Sequence, residues 1–320
     1  MIVVVTGGRG LIGRNVIEKF LSQGHSVRAL SRSIVKTKNN KLKWFTGDLD
    51  SSELLDSLVI DADIVCHCAG EINNEEQFIN INYYGTIQIV EASLRAKVRR
   101  FIHISSVGVY GNNLHGNINE KSPLSPMNAY EKSKIMADEW LISLKPSVMD
   151  IVILRPSTIF DIKMTNQSLK NWIQAIHSGR FFFIGKKNSL VNYVHIGTVK
   201  DAISLVATSP LPKKINIYNI SHAITIEKFV ENVCFVTNVK YPKIRIPFFL
   251  ILSLSFIMDL AAVILNKKFS LSVSRVKALT SQVIYNSNKI KIEHNFNSNE
   301  SLEVSLRHVT HYWINKKINE

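Results

Sequence analysis

A tyrosine and a lysine, Tyr130 and Lys134 in Asn128-Ala-Tyr-Glu-Lys-Ser-Lys134, and a serine, Ser106, closing an upstream apolar run are the residues best suited to chemistry. Four-residue spacing puts the phenol and the ammonium on one helical face. An ammonium beside a phenol favours the phenolate, and a second positive charge nearby lowers its pKa further. The tyrosine can then exchange a proton with an alcohol nearer neutral pH, while the serine hydroxyl hydrogen-bonds the reacting oxygen. By itself, a tyrosine four residues before a lysine is ordinarily a surface helix; the elements that position the pair give it meaning.

The first of these is Ile2-Val-Val-Val-Thr6, an apolar strand running into Gly7, Gly10 and Gly13 and then into Leu11, Ile12, Val16, Ile17, Phe20 and Leu21 at helical spacing, with Gly24 as the stop. Strand, glycine turn and helix in this order suit a dinucleotide: glycine permits unusual backbone angles, lets a pyrophosphate approach and allows helix to pack close on strand. The helix N-terminus adds N–H donors and a positive dipole end. The next strand, Ser26 to Ser31, leads to Arg32, at the place where an acid commonly holds the adenosine ribose. A carboxylate there would repel a 2′-phosphate, whereas serine leaves space and arginine can pair with it. The expectation is NADP in preference to NAD.

Strands near residues 2–6, 26–31, 42–46, 63–68, 100–105 and 150–155 alternate with helices near 11–23, 51–58, 78–97 and 130–145. Such alternation predicts an α/β fold, a Rossmann doubly wound parallel sheet with a smaller C-terminal substrate lobe. Residues 1–156 with about 191–219 should form the dinucleotide domain, and 157–190 with 220–320 the lobe. The turns after Thr46 and Cys68 should then border the ligand crevice. Within the lobe, Asn166 and Lys170 are either substrate contacts or, more simply, surface polar groups. Residues 295–299 read as a loop before a last helix at Leu302 to Asn315.

With Gly47-Asp-Leu49, His67-Cys-Ala69, Asn82-Tyr-Tyr-Gly-Thr86, Ser105-Ser-Val-Gly-Val-Tyr-Gly111, Leu154-Arg-Pro156 and Tyr193-Val-His195, these features resemble an extended short-chain dehydrogenase/reductase over nearly the whole chain. The branch is that of NAD-dependent epimerases and dehydratases acting on nucleotide sugars. The resemblance implies catalysis by Ser106, Tyr130 and Lys134. It also implies a cofactor held by Gly7, Gly10, Leu11, Ile12, Gly13, Ser31, Arg32, Asp48, Leu49, Cys68, Ala69, Gly70, Asn82, Tyr130, Lys134, Pro156 and Ser157. Asp48 and Leu49 would meet the adenine, Ala69 and Gly70 would line the cofactor through their backbone, and Pro156 and Ser157 would lie near the nicotinamide.

Two departures narrow the reaction. Relatives that eliminate water carry an aspartate and a glutamate after the catalytic hydroxyl residue, where this chain has Val107 and Gly108, so dehydration is disfavoured. Relatives using UDP-sugars often have an arginine two residues before Tyr193, where Val191 stands. The expected activity is therefore an NAD(P)-dependent epimerase or keto-reductase. Its substrate would be a nucleotide-linked or polyprenyl-diphosphate-linked sugar, worked on at C4, in surface polysaccharide biosynthesis. A hydroxysteroid or lipid-alcohol dehydrogenase of the same superfamily, and a non-catalytic dinucleotide sensor or assembly factor, are the alternatives.

Composition agrees with a full core, 46% of residues being hydrophobic. Cys66, Cys68 and Cys234 cannot make a paired framework and read as core thiols in a reducing cytoplasm. No second ligand pair supports a metal, and the chain's first residues are its first strand rather than a signal peptide. His67, His103 and His195 read as packed or hydrogen-bonded residues. A net charge of +14 suits an anionic ligand or membrane surface, and no stacking-aromatic motif points to nucleic acid. The segment Ile246 to Leu265 carries only Asp259 as a charge and is flanked by Lys243, Arg245, Lys267 and Lys268. It is expected as a buried or interfacial helix rather than a spanning one, because an aspartate in lipid is costly. Peripheral contact with the inner membrane face and a homodimer are both compatible with this reading.

Overall fold

The computed structural model describes residues 1–111, 115–144, 149–164, 167–265, 273, 276, 279–298 and 300–318. Asn166, Lys267 and Lys268 lie outside them. The strands are β1 (Ile2–Thr6), β2 (Ser26–Ser31), β3 (Leu42–Thr46), β4 (Ile64–His67), β5 (Arg100–Ile104), β6 (Gly116–Ile118) and β7 (Asp150–Pro156). They continue with β8 (Thr158–Phe160), β9 (Phe183–Ile184), β10 (Leu190–His195), β11 (Ile215–Ile220), β12 (His222–Thr225), β13 (Arg245–Ile246) and β14 (Val283–Tyr285). The first eight helices are α1 (Leu11–Ser22), α2 (Ser52–Val59), α3 (Gly85–Arg95), α4 (Ala129–Ser143), α5 (Ser168–His177), α6 (Ile196–Thr208), α7 (Ile226–Thr237) and α8 (Phe248–Leu265); Asn288–His294 and Leu302–Ile318 are helical too.

A seven-stranded sheet in the order β11-β7-β5-β4-β1-β2-β3 forms the centre, every neighbouring pair parallel. The buried runs of β1, β4 and β5 explain why: strands covered on both faces need continuous apolar, β-branched sequence rather than alternation. One face packs on α1 and α6 through Val16, Phe20, Val199 and Ile203. The other packs on α2, α3 and α4 through Leu55, Ile89 and Leu141. A separate apolar cluster joins α5, α7 and the last helix through Ile173, Phe229 and Trp313.

Two features differ from the sequence expectation. α6 lies on the central sheet as the 191–206 segment suggested, yet β10 does not join that sheet and pairs instead with β8 and β12. The helix Asn288–His294 packs beside β11, with Ile290 in the same core as Tyr218 and with Glu293 and His294 at the Tyr218 hydroxyl. Neither apolar periodicity nor turn residues carry information about such long-range pairings.

The turn between β1 and α1 is held by close approach. Gly7 has φ +64°, and a Cβ there would sit 2.7 Å from the Ala69 backbone, while one on Gly13 would overlap the Gly7 carbonyl oxygen. Gly13→Ala is therefore expected to destabilise the fold by about 1–3 kcal/mol and to weaken dinucleotide binding. Thermal unfolding with and without dinucleotide checks this, and a variant with unchanged midpoints in both would remove the close-approach account.

Candidate active site

The parallel sheet brings the ends of β1, β2, β4, β5 and β7 to one edge, and the residues singled out by sequence follow those ends. α4 arrives there with its start fixed. Asn128 caps it by accepting the Glu131 N–H at 2.9 Å, and the buried Glu131 carboxylate accepts the Met127 N–H at 2.6 Å. This reciprocal cap sets Tyr130 in the first turn. The Tyr130 hydroxyl lies near Ser106, and its ring meets Phe78 edge-on at 5.7 Å. Ser106 is itself oriented, its Oγ accepting the Gly108 N–H at 3.0 Å.

One turn on, Lys134 is buried and its Nζ donates to the Ile104 carbonyl at 2.9 Å. Burial pulls its pKa down to about 8, against the pull of Asp138. The Tyr130 phenol moves opposite to the sequence expectation: burial pushes it up to about 12, and the nearby Ser106 hydroxyl only partly offsets this. The protein alone does not prime the phenol. A buried hydroxyl resists ionisation until a further positive charge stands near it.

Asn82, fully buried in a π-helical turn (Ile79–Tyr84), ties the neighbouring elements together. Its amide donates to the Glu71 carbonyl and to Ser133 Oγ, and its Oδ1 accepts the Glu71 N–H at 2.8 Å. Ser133 Oγ in turn donates to the Tyr130 carbonyl at 2.7 Å. A Cβ on Gly70 would stand 3.2 Å from Asn82 Oδ1 and 3.5 Å from Lys134 Nζ, so Gly70, Asn82 and Lys134 converge on one spot.

The other residues named from sequence fall around this edge. Gly10 caps α1 without a side-chain hydrogen bond, which leaves the helix start with Leu11, Ile12 and Gly13 uncovered by any capping group. Ser31 ends β2 and accepts the Ser33 N–H at 3.2 Å, and Arg32 beside it is exposed. Asp48 is exposed, whereas Leu49 is buried against Gly85. Ala69 N–H donates to Thr6 Oγ1 at 3.2 Å, Cys68 is a free thiol pushed up to about 12 by burial, and Pro156 ends β7. Ser157 is buried and its Oγ has no hydrogen-bond partner. A glycine turn that any Cβ would fill, an uncapped helix start and an exposed cation at the second strand's end fit a dinucleotide's pyrophosphate and ribose.

Sequence reasoning missed what lies behind Lys134. Asp138, fully buried, accepts Arg155 Nε at 2.9 Å and Ser105 Oγ at 3.0 Å. Arg155 reaches on to the Tyr110 hydroxyl at 2.8 Å, which donates to Asn219 at 2.9 Å. His103 stands 3.7 Å from the other Asp138 oxygen and stacks on His67, which is held between Thr6 and Thr86. Burial keeps both imidazoles neutral, His67 down to about 3. The available signal was an acid four residues after Lys134 and an arginine directly after the apolar run of residues 151–154.

The profile of the NAD dependent epimerase/dehydratase family matches residues 3–221. The low-salt glycan biosynthesis protein Agl12 of Haloferax volcanii is 34% identical over 154 residues, 43% of this chain and 50% of that protein. The N-acetyl-alpha-D-glucosaminyl-diphospho-ditrans,octacis-undecaprenol 4-epimerase of Escherichia coli is 24% identical over 90% of this chain and 88% of its own length. Among solved structures, the UDP-glucuronic acid 4-epimerase of Bacillus cereus in complex with NAD superposes with a TM-score of 0.75 at 18% identity, each chain covered in full. At that identity the likeness shows the fold.

Asp138→Asn preserves shape but removes the charge shared by Arg155 and Lys134. The Arg155 guanidinium is then buried unpaired, with an expected loss of about 3–5 kcal/mol. Losing a nearby negative charge also lowers the Lys134 pKa, so the alkaline fall of activity moves to lower pH. A pH–rate profile with its alkaline limb unmoved would contradict this electrostatic link.

Proposed function

Because the chain belongs to the NAD-dependent epimerase/dehydratase family, we propose that it interconverts or reduces a sugar at C4, the sugar being linked to a nucleotide or to a polyprenyl diphosphate, in surface polysaccharide biosynthesis. The observation that carries this reading is the meeting of Ser106 and Tyr130, with a buried Lys134 one turn on, at the sheet edge where the glycine turn opens. Support comes from relatives named for 4-epimerisation of undecaprenyl-linked and UDP-linked sugars. Dehydration needs an added acid and base beside the serine. Val107 is buried and Gly108 has no side chain, so those positions supply neither.

The residues divide the work. The turn at Gly7, Gly10 and Gly13 with the start of α1 would hold the pyrophosphate, and Asn82 with Lys134 would order the far end of the cleft. The bound nicotinamide supplies hydride acceptance and donation. Tyr130 takes the proton from the sugar hydroxyl as the alcohol becomes a carbonyl, and Ser106 hydrogen-bonds the same oxygen. Lys134, held by the Ile104 carbonyl, favours the phenolate electrostatically. On the return step Tyr130 gives the proton back to the carbonyl oxygen; for an epimerase the ketone turns over in between, so that its carbon takes the hydride back on the other face.

The lobe built from α5, α7 and the last helix takes the sugar and its carrier in this reading. The cofactor is NADP in preference to NAD, on the strength of Ser31 and the exposed Arg32. The enzyme works in the cytoplasm, peripheral to the inner membrane face. Neighbours solved with NAD set the comparison for the cofactor test.

Tyr130→Phe is expected to lower turnover of UDP-linked or polyprenyl-linked sugar by about 10²–10⁴-fold while dinucleotide affinity stays unchanged. Product inversion at C4 followed by NMR and absorbance of reduced nicotinamide together separate epimerase from reductase. A fully active variant would end the assignment. Separately, Arg32→Ala should weaken NADP binding about tenfold, the equivalent of roughly 1.4 kcal/mol, and leave NAD affinity alone; equal affinities before and after the change would remove the argument for this arginine.

A further inference from the structure

Over residues 248–256, helix α8 is packed inward along one stripe and exposed on its other sides. Ile251 and Ser255, one turn apart, are buried, and Ile251 packs with Ile184 and Val276. On the other sides Phe249 is 65% exposed, Phe256 60% and Leu250 51%. A surface helix ordinarily turns charged residues outward; from 248 to 256 this one has none. The bare surface continues backward along the chain through Ile244, 67% exposed, and Tyr241. A contiguous apolar face of this kind marks a binding surface.

Its rim identifies the occupant. Gly185 abuts Phe248, a Cβ there falling 3.3 Å from the Phe248 Cβ, so the exposed Lys186 and Lys187 stand beside the start of α8. Arg245 is anchored to this loop by hydrogen bonds to the Gly185 and Lys186 carbonyls and by an ion pair with Glu227. Lys240 and Lys243, both exposed, precede it. Among the described residues none of Lys186, Lys187, Lys240 and Lys243 is in an ion pair. A second copy meeting this face across a two-fold axis would set these cations against their own equivalents. An anionic bilayer surface satisfies both parts, taking the aromatic and aliphatic side chains below its headgroups and the lysines at phosphate level. Among the described residues no helix is long and apolar enough to cross a membrane.

We propose that α8, with the Lys186–Lys187 loop and the 240–245 segment as its basic rim, docks the protein onto an anionic lipid surface. The docking adds a partner to the peripheral sugar enzyme proposed above and rests on that reading only for its biological use, which is to hold the cleft beside membrane-linked sugar.

Sedimentation of the full chain with vesicles tests it, comparing phosphatidylcholine alone with phosphatidylcholine containing about one quarter phosphatidylglycerol. Wild type should pellet with the anionic vesicles, about tenfold more weakly with neutral ones, and less as salt rises. Phe249→Glu with Phe256→Glu should remain in the supernatant, and Lys186→Glu with Lys187→Glu should lose about tenfold in anionic-vesicle affinity. The lysine pair is exposed and keeps the test decisive if the aromatic pair fails to fold. Wild type remaining in the supernatant with both vesicles, or a wild-type dimer in light scattering that the aromatic pair dissociates, overturns the proposal. Turnover of a soluble UDP-linked sugar is measured on the same preparations. Pelleting without any sugar turnover sinks the catalytic reading alone, and turnover without pelleting sinks the docking alone.

Discussion

A lysine ammonium buried to 4% exposure is the constraint on which the rest of the site depends. Such a charge is costly inside a protein unless it is hydrogen-bonded and faced by a counter-charge. The Ile104 carbonyl supplies the first and Asp138 the second. Asp138 is itself buried and needs Arg155; Arg155 in turn needs the Tyr110 hydroxyl, which is tied to Asn219 on β11. The requirement runs from the start of α4 to the far strand of the sheet. It explains why a layer of polar side chains passes through an otherwise apolar core.

The same arrangement bears on the division of roles proposed for the cleft. Burial that depresses the lysine also raises the tyrosine, so the two shifts have one cause and opposite consequences for catalysis. The Asn128–Glu131 cap fixes where the phenol sits, and burial holds it protonated. A cationic ring stacked into the cleft would be the missing charge, which makes proton transfer contingent on the loaded enzyme. In the proposed chemistry, an acid–base group that is idle until the redox partner is present suits a reaction in which proton and hydride must leave together.

Much of this was legible in the sequence because local rules carry it. Apolar runs gave the parallel strands, the glycines marked the turn whose close contacts leave no room for a Cβ, and Tyr130 with Lys134 fell on one helical face as the spacing required. What stayed hidden is long-range. The pairing of β10 with β8 and β12, the return of Asn288–His294 to the central sheet, and the Asp138–Arg155 pair join residues whose separation along the chain carries no pattern. The sign of the Tyr130 shift was missed for a related reason: spacing tells which charges are near but not how deeply the group between them is buried.

The most direct measurement is a titration of the Tyr130 phenolate band, taken as the ultraviolet difference between wild type and Tyr130→Phe, with and without saturating oxidised dinucleotide. Without it the phenol should ionise only near its buried value of about 12, and with it the midpoint should fall by several units toward neutrality. A midpoint that is the same in both conditions would contradict an acid–base tyrosine primed by the charge of its redox partner.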